Sequence, residues 1–352
     1  MLSARFLRSG KRGRVVAMAA AALRVAAATA GRNVHAVGIG RKMVEGSATE
    51  SRCVRLYVVQ KIAPSLLAPR DRLPTDIDGI PTDVIQSPPA FFLKKKKRKK
   101  AALKAPGPAA AAALSCTQNR RKMQRPVVAG ISAAHHDVTA GTIAYFCRST
   151  RAEDDPAQVY VLSNNHVFAD VNEGSQEDKL YQPGPLDGGT EVNHFADLER
   201  FVRMELGGNQ ANRVDAAIGA LRAGIAFRPE ICLIGAIAGT AAAEEQMVVR
   251  KHGRTFGYTE GIVTDVSYDA LVGVDHSNPD VVAKFVGQIR IERIDPFPHV
   301  GLGGDSGSLV VSKAEPKAVG LYFAGPESGV YGIANPIRDV LDELEIALVS
   351  EE

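Results

Sequence analysis

Tryptophan is absent from this chain of 352 residues, cysteine is scarce, and no long apolar run occurs. No stretch approaches the roughly 18 consecutive apolar residues of a membrane-spanning helix, so no membrane span is expected. The cysteines are Cys53, Cys116, Cys147 and Cys232. No two of them have the CxxC spacing of a metal or redox motif. Because a chain of this length does not need disulfides to fold, four scattered thiols favour a cytoplasmic location over secretion.

Acidic residues are absent between Lys94 and Arg125, where twelve of the 43 Lys and Arg residues lie. The rest of the chain holds 31 basic and 39 acidic residues, so the net charge of +4 hides an acidic body. Residues 89–125 combine a lysine block with Ala, Pro and Gly low complexity, which cannot bury a core. We therefore predict a disordered basic linker, and it is the only segment suited to contact a nucleic acid.

Residues 1–88 are predicted to form a small α+β domain ahead of this linker. Three β-branched stretches predict strands at residues 34–40, 53–60 and 80–85. The alanine content of residues 14–30 is typical of a helix. The same stretch follows basic residues and ends near a small-residue motif that resembles a signal-peptidase site. Arg24 interrupts its apolar run, so we favour a helix packed on the domain over a secretory signal.

From Pro126 onward, short β-rich runs recur with turn residues between them. They cover residues 127–132, 141–148, 159–163, 201–206, 216–221, 247–251, 261–268, 285–291, 308–312, 318–323 and 329–333. Such a pattern predicts a mainly β domain over residues 126–352, built as a closed antiparallel barrel or a pair of barrels. Residues 336–348 carry apolar side chains at helical spacing, which predicts a terminal helix.

The stretch of residues 301–311 reads Gly-Leu-Gly-Gly-Asp-Ser-Gly-Ser-Leu-Val-Val. Ser306 stands between small residues that let the backbone turn sharply and let a substrate carbonyl approach closely. Backbone N–H groups left free in such a turn can stabilise a developing oxyanion. The motif is therefore typical of a hydroxyl nucleophile.

A serine nucleophile needs a base and a carboxylate that orients the base, and the β-rich region offers both. An apolar strand at residues 159–163 delivers His166 into a turn, and histidine is the suitable base near neutral pH. Asp215 precedes small and aliphatic residues that would draw it toward the core, where a carboxylate needs a partner.

Taken together, residues about 126–345 resemble a trypsin/chymotrypsin-like serine peptidase of the bacterial type. The order His166, Asp215, Ser306, at separations of 49 and 91 residues, is the order of that family. The resemblance implies two six-stranded antiparallel barrels with the active site between them. It also implies that Ser306 is the nucleophile, His166 the general base and acid, and Asp215 its orienter, with the backbone N–H groups of Gly304 and Ser306 forming the oxyanion hole.

The resemblance also suggests a substrate pocket. Its base would fall on Val300 and its walls on Phe323, Gly325 and Gly329. No acid stands at the base, so a preference for Lys or Arg is not supported, and the glycines would leave the pocket open for an apolar or medium-sized side chain. No activation N-terminus of the family type precedes the domain, so Asp305 is not expected to pair with a newly cut terminus.

The leading interpretation is a serine endopeptidase that forms an acyl-enzyme with a peptide or protein substrate and uses no cofactor or metal. His135 and His136 lack metal-ligand spacing and are expected at the surface. One alternative is a catalytically silent protease fold that binds a partner through the N-terminal domain and the basic linker. Another is regulation, with the N-terminal domain acting as a pro-region or a lid over the cleft.

Overall fold

The computed structural model describes residues 33–44, 47–92, 116–275 and 278–350, and these are mainly β, as expected from the β-rich runs. The strands are β1 (Val34–Val44), β2 (Ser47–Val58), β3 (Asp76–Ile77), β4 (Ile80–Gln86), β5 (Ala90–Phe92), β6 (Val127–Ala129), β7 (Ser132–His135), β8 (Gly141–Thr142), β9 (Tyr145–Ser149), β10 (Tyr160–Ser163), β11 (Lys179–Tyr181), β12 (His194–Phe201), β13 (Ala211–Asn212), β14 (Ala217–Leu221), β15 (Phe227–Ile231), β16 (Val248–Gly253), β17 (Gly257–Asp275), β18 (Asn278–Arg293), β19 (Leu309–Ser312), β20 (Ala318–Gly325), β21 (Tyr331–Pro336) and β22 (Ile346–Leu348). The helices are α1 (Cys116–Asn119), α2 (Asn165–Phe168) and α3 (Ile337–Leu344). None of the helices in the described ranges is long and apolar enough to cross a membrane.

The first sheet has eight strands in the order β22-β9-β10-β14-β12-β11-β7-β8. Its central strand β10 pairs antiparallel with β14, in a register that sets Ser163 opposite Ala217. All four residues of β10 are buried, which agrees with its continuous apolar sequence. The strand that leads to His166 and the strand that follows Asp215 are therefore neighbours.

The second sheet contains a closed circuit of six antiparallel strands, in the order β18-β21-β20-β19-β16-β17 and back to β18. Closure removes the free edges that would otherwise invite pairing with another chain. The loop that carries Ser306 enters this circuit at β19. Each of the two sheets thus contributes part of the predicted catalytic set.

The N-terminal strands, predicted to belong to a domain of residues 1–88, do not form a sheet of their own. The order β17-β1-β2-β4-β3 continues the second sheet, and β1 pairs antiparallel with β17 through Ala36 opposite Ala270. The β-branched runs did predict the strands, but their partner on β17 lies too far along the chain for a local pattern to reveal. The alanine-rich residues 14–30 lie outside the described residues.

Two short stretches within the predicted linker, residues 89–125, form secondary structure. Ala90–Phe92 forms β5, which pairs with both β17 and β20, and residues 116–119 form α1. The lysine block itself lies outside the described residues. Phe91 and Phe92 have the β propensity of a strand, but the seven basic residues that follow made the whole segment resemble a disordered linker.

Two further expectations, a terminal helix and a strand in the middle of the chain, have different outcomes. The terminal helix is confirmed as α3, whose Ile337, Val340 and Leu344 are buried at helical spacing, although the chain then forms β22. The strand expected at residues 201–206 is wrong, because the strand of this region is β12, which ends at Phe201. Polar residues on the alternate face of β12 concealed its periodicity.

A disulfide joins Cys116 on α1 to Cys232 at the end of β15, so the expectation of four free thiols is wrong. The two residues are 116 positions apart, and only the fold brings their Cα atoms to 5.8 Å. Cys53 and Cys147 are buried free thiols. Burial raises the pKa of Cys53 to about 11 and moves the pKa of Cys147 in the same direction. A disulfide is typical of proteins that fold in an oxidising environment, which weakens the argument for a cytoplasmic location.

Two buried histidines are held neutral. His35 Nε2 lies 2.8 Å from the carbonyl oxygen of Ser87, and His252 Nδ1 lies 2.8 Å from that of Gly130. Since a carbonyl can only accept, each of these nitrogens carries the proton. The other ring nitrogen of each histidine has no partner among the described residues. Burial therefore lowers the pKa of both side chains to about 4.

We expect the free energy of unfolding to fall as the pH is lowered from about 6.5 to about 4. In this window His35 and His252 bind protons in the unfolded chain but stay neutral in the folded protein. Each histidine should contribute a slope of about 1.4 kcal/mol per pH unit. Urea denaturation at several pH values measures this slope, and His35→Gln should reduce it by about half. A stability that is flat across this window in the unmodified chain would contradict the assignment.

Candidate active site

His166 lies in α2, the short turn of helix that follows β10, and both its side chain and that of Asp215 are buried. The Nδ1 atom of His166 lies 2.5 Å from Oδ2 of Asp215. The backbone N–H of His166 donates to Oδ1 of the same carboxylate at 3.1 Å. One aspartate thus fixes the orientation of the imidazole ring and leaves Nε2 as the nitrogen that can exchange a proton.

Asparagine side chains hold the backbone of Asp215 from both sheets. Asn164 Nδ2 donates to the carbonyl oxygen of Asp215 at 2.8 Å, and the N–H of Asp215 donates to Asn335 Oδ1 at 3.0 Å. Asn335 on β21 in turn donates to Gln288 Oε1 on β18 at 2.7 Å. The carboxylate is therefore fixed by the packing of the second sheet as well as of the first.

The Ser306 loop is pressed against the first sheet. The N–H of Thr142 donates to the carbonyl oxygen of Ser306 at 2.9 Å, and the Thr142 hydroxyl donates to that of Gly304 at 2.9 Å. A Cβ atom on Gly307 would collide with the Thr142 carbonyl oxygen and with the hydroxyl of Ser163. Gly307 also has a φ of 92°, so only glycine suits this position.

Between Gly304 and Ser308, two backbone N–H groups are left without a partner in the described part of the chain. The N–H groups of Asp305, Gly307 and Ser308 all donate to backbone carbonyls. Those of Gly304 and Ser306 make no such bond. Gly304 has a φ of 96°, a left-handed conformation that shapes this loop. Free N–H groups beside a hydroxyl are the donors that an oxyanion requires.

Asp305 lies fully buried beneath this loop. Its Oδ1 accepts the N–H groups of Thr255 and Phe256 at 2.7 and 3.1 Å, and its Oδ2 accepts that of Leu302 at 2.9 Å. Lys251 Nζ, also buried, lies 3.6 Å from Oδ2. Burial lowers the pKa of Lys251, and the Asp305 carboxylate opposes that shift. The Asp305 carboxylate of the Ser306 loop therefore has its partners within the described chain, three backbone N–H groups and Lys251.

The Ser306 hydroxyl is not linked to the His166–Asp215 pair in this state. Ser306 Oγ donates to the carbonyl oxygen of Phe323 at 3.2 Å. His166 Nε2 has no hydrogen-bond partner among the described residues. The ring of Phe92 stacks on the imidazole of His166, with centroids 4.8 Å apart and an interplanar angle of 10°. The His166–Asp215 pair is formed, but the contact between base and hydroxyl is not.

The residues expected to line a substrate pocket do not face one space. Val300 packs with Tyr322 in one apolar cluster, whereas Phe323 packs with Phe92 and Phe285 in another. Tyr322 and Phe323 are adjacent on β20, so their side chains point to opposite faces of the strand.

A buried tyrosine, Tyr322, lies beside Gly325, one of the two glycines expected to leave the pocket open. A Cβ atom on Gly325 would lie 3.2 Å from Tyr322 Oη, and one on Gly301 would lie 2.8 Å from the same atom. Gly329 accepts the N–H of Val300 at 2.7 Å and is itself buried. The sequence analysis did not reveal that the ring of Tyr322 lies beside Gly325.

His135 was expected at the surface, but only 3% of it is exposed. Its Nε2 lies 3.1 Å from Asp178 Oδ2, and its Nδ1 accepts the N–H of Asp137 at 3.2 Å. The ligand atoms of His135, His136 and Asp178 lie within 4.8 Å of one another. Both ring nitrogens of His135 take part in hydrogen bonds.

Comparison with solved structures finds chymotrypsin-like serine proteases of bacteria, the class that the motifs resemble. Protease A of Thermobifida fusca is 15% identical, with a TM-score of 0.44, over 64% of this chain and 99% of that one. The Nocardiopsis protease is 14% identical, with a TM-score of 0.44, over the same shares. Cellulomonas bogoriensis chymotrypsin is 14% identical, with a TM-score of 0.42, again over 64% and 99%. Neither family models nor curated proteins gave a match to the sequence.

Several residues that shape the site escaped the sequence analysis. Asn335 lies in an apolar strand sequence, where a lone polar residue is a signal that it has a buried partner, whereas Lys251 stands between Arg250 and His252 and gave no such signal. Tyr322 and Phe92 carry no such signal, because an aromatic residue in a β-rich run is expected in a core.

We expect Lys251→Met to lower the free energy of unfolding by about 3 kcal/mol, because it leaves the Asp305 carboxylate buried without a cation. Adding Asp305→Asn should restore part of that loss. Lys313→Met is the matched control, since Lys313 is half exposed in its pair with Glu260 and should change stability by less than about 1 kcal/mol. Chemical denaturation compares the four chains, and equal losses for Lys251→Met and Lys313→Met would refute the role of the buried pair.

Proposed function

We propose that this protein is a serine endopeptidase that hydrolyses peptide bonds through Ser306, His166 and Asp215. The observation that carries the proposal is the packing of the Ser306 loop, whose Gly304 and Ser306 N–H groups make no hydrogen bond among the described residues, against the strand that leads to the buried His166–Asp215 pair. The loop and the histidine turn meet where Gly307 packs against Ser163, three residues before His166. The similar solved structures are serine proteases, which is the class of enzyme proposed here.

In the proposed reaction, His166 Nε2 takes the hydroxyl proton as Ser306 Oγ forms a bond to the substrate carbonyl carbon. The electron pair of the C=O bond moves to oxygen, and the N–H groups of Gly304 and Ser306 receive this oxyanion. Asp215 stabilises the positive imidazolium without taking its proton. These are the roles that the orientation of each group allows.

Collapse of the tetrahedral intermediate breaks the C–N bond. The imidazolium of His166 gives its proton to the leaving amine, and an ester of Ser306 with the acyl group remains. Water then repeats the sequence, with His166 taking its proton, and the acid product and the Ser306 hydroxyl are released. For the first step, the Ser306 hydroxyl must turn from the Phe323 carbonyl oxygen toward His166 Nε2.

One observation favours the second candidate, a silent protease fold that serves as a binding module. The Ser306 hydroxyl donates to a backbone carbonyl and not to the histidine, so the relay is unassembled in this state. Hydrogen bonds between catalytic groups are often long without substrate and tighten when it binds. The geometry of the free N–H groups has no evident use in a silent module, and we therefore favour the enzyme.

We expect a fluorophosphonate probe to modify the full chain at one residue, and Ser306→Ala to abolish that modification. Hydrolysis of peptides should be lost in the same variant and reduced by about 10⁴ in Asp215→Asn, which leaves the imidazole without its orienting charge. Ser312→Ala on β19 is the matched control and should retain both reactions. Mass spectrometry after exhaustive labelling locates the probe. Labelling of Ser306→Ala to the level of the unmodified chain would refute the proposal.

A further inference from the structure

A short strand of this chain lies across the proposed catalytic residues. β5 (Ala90–Phe92) pairs antiparallel with β20, with Phe92 opposite Ala324 and Phe91 opposite Gly325. On its other side it pairs parallel with β17, with Ala90 opposite Val272. Nothing in the proposed mechanism requires these three residues, although they lie against its centre.

Phe92 closes the site from above. Its side chain is fully buried, and it stacks on His166 while its other neighbours are the rings of Phe285 and Phe323. His166 and Ser306 are each only 1% exposed. A peptide bond has to reach both Ser306 Oγ and His166 Nε2, and no substrate can do so while Phe92 remains in place.

β5 pairs with both β20 and β17, and on the β20 side its backbone pairs as an extended peptide does when it adds a strand to a sheet. Such binding obtains affinity from main-chain hydrogen bonds and selectivity from alternate side chains. β5 follows this scheme, since Ala90 and Phe92 are buried on one face while Phe91 covers Gly273 on the other. The strand therefore occupies a binding position that a substrate backbone would fit.

Ser87 and Pro88, which lie just before β5, are held by hydrogen bonds to buried side chains. His35 Nε2 lies 2.8 Å from the carbonyl oxygen of Ser87, and the Tyr331 hydroxyl donates to that of Pro88 at 2.7 Å. Arg290 Nη2 lies 3.3 Å from Ser87 Oγ, and the Arg290 guanidinium stacks on the Tyr331 ring at 3.7 Å. These buried contacts fix the entry of the strand, so its position over the site is built into the fold.

We propose that β5 is an autoinhibitory strand, which occupies the place of an extended peptide substrate and must leave before Ser306 can react. The proposal rests on the proposed function. It also defines the substrate that would displace the strand: an extended peptide that pairs with Ala324 and Gly325 of β20 and packs an apolar or aromatic side chain on His166. The anchor at Ser87 and Pro88 keeps the strand close, so it competes with substrate from within the same molecule.

The test compares the rate of fluorophosphonate labelling of Ser306 in full-length variants. Phe92→Gly removes the ring over His166, and Gly273→Val displaces Phe91 from below without changing any residue of the site. Each should raise the labelling rate by about tenfold or more, because the apparent rate scales with the open fraction. Gly273→Val keeps the test valid if Phe92→Gly fails to fold. Phe227→Ala, which removes a ring packed on Phe146 outside the cleft, is the control and should label at the unmodified rate.

Because the chain has no tryptophan, Phe92→Trp supplies a single reporter on the strand itself. Its emission should lie in the blue range of a buried ring and shift to the red as Ser306 is labelled, with the same rate constant. Complete labelling without a shift would overturn the inhibitory role, as would equal rates in the unmodified chain and in both displaced variants. No labelling of any folded variant would instead contradict the proposed function.

Discussion

The buried carboxylate of Asp215 is the constraint on which the site depends. A charge with no exposed surface is costly unless every oxygen has a donor, and the donors here are Nδ1 and the backbone N–H of His166. To supply them, α2 must begin where β10 ends, beside the strand that follows the aspartate. Asn335 reaches across from β21 to the Asp215 backbone, so this one charge also couples the two sheets.

The Ser306 loop depends on a second buried charge, that of Asp305, and on the lack of a side chain at Gly307. Asp305 is satisfied by three backbone N–H groups and by Lys251, which holds the loop in a shape that leaves the N–H groups of Gly304 and Ser306 free. Gly307 lets the loop approach Thr142 closely enough for hydrogen bonds between the sheets. The same closeness leaves little room above the serine, and β5 fills that room with Phe92.

The sequence was most informative where chemistry demands a residue type. Ser306, His166 and Asp215 stood out because few side chains can serve as nucleophile, base and orienter, and the structure brings His166 and Asp215 into contact. Strand positions followed from runs of β-branched residues. The partners of those strands did not, because β1 pairs with β17 across more than two hundred residues. The linker prediction treated the aromatic pair before the lysine block as part of a disordered segment, since local composition outweighed two residues of strand.

The central claim is that Ser306 reacts with the help of the Gly304 and Ser306 N–H groups once β5 has left. A crystal structure of the full chain after reaction with diisopropyl fluorophosphate tests it most directly. The account predicts phosphorus bonded to Ser306 Oγ, a phosphoryl oxygen within hydrogen-bond distance of both N–H groups, and Phe92 withdrawn from His166. An adduct on another residue, a phosphoryl oxygen turned away from these N–H groups, or Phe92 still stacked on His166 beside the adduct would contradict it.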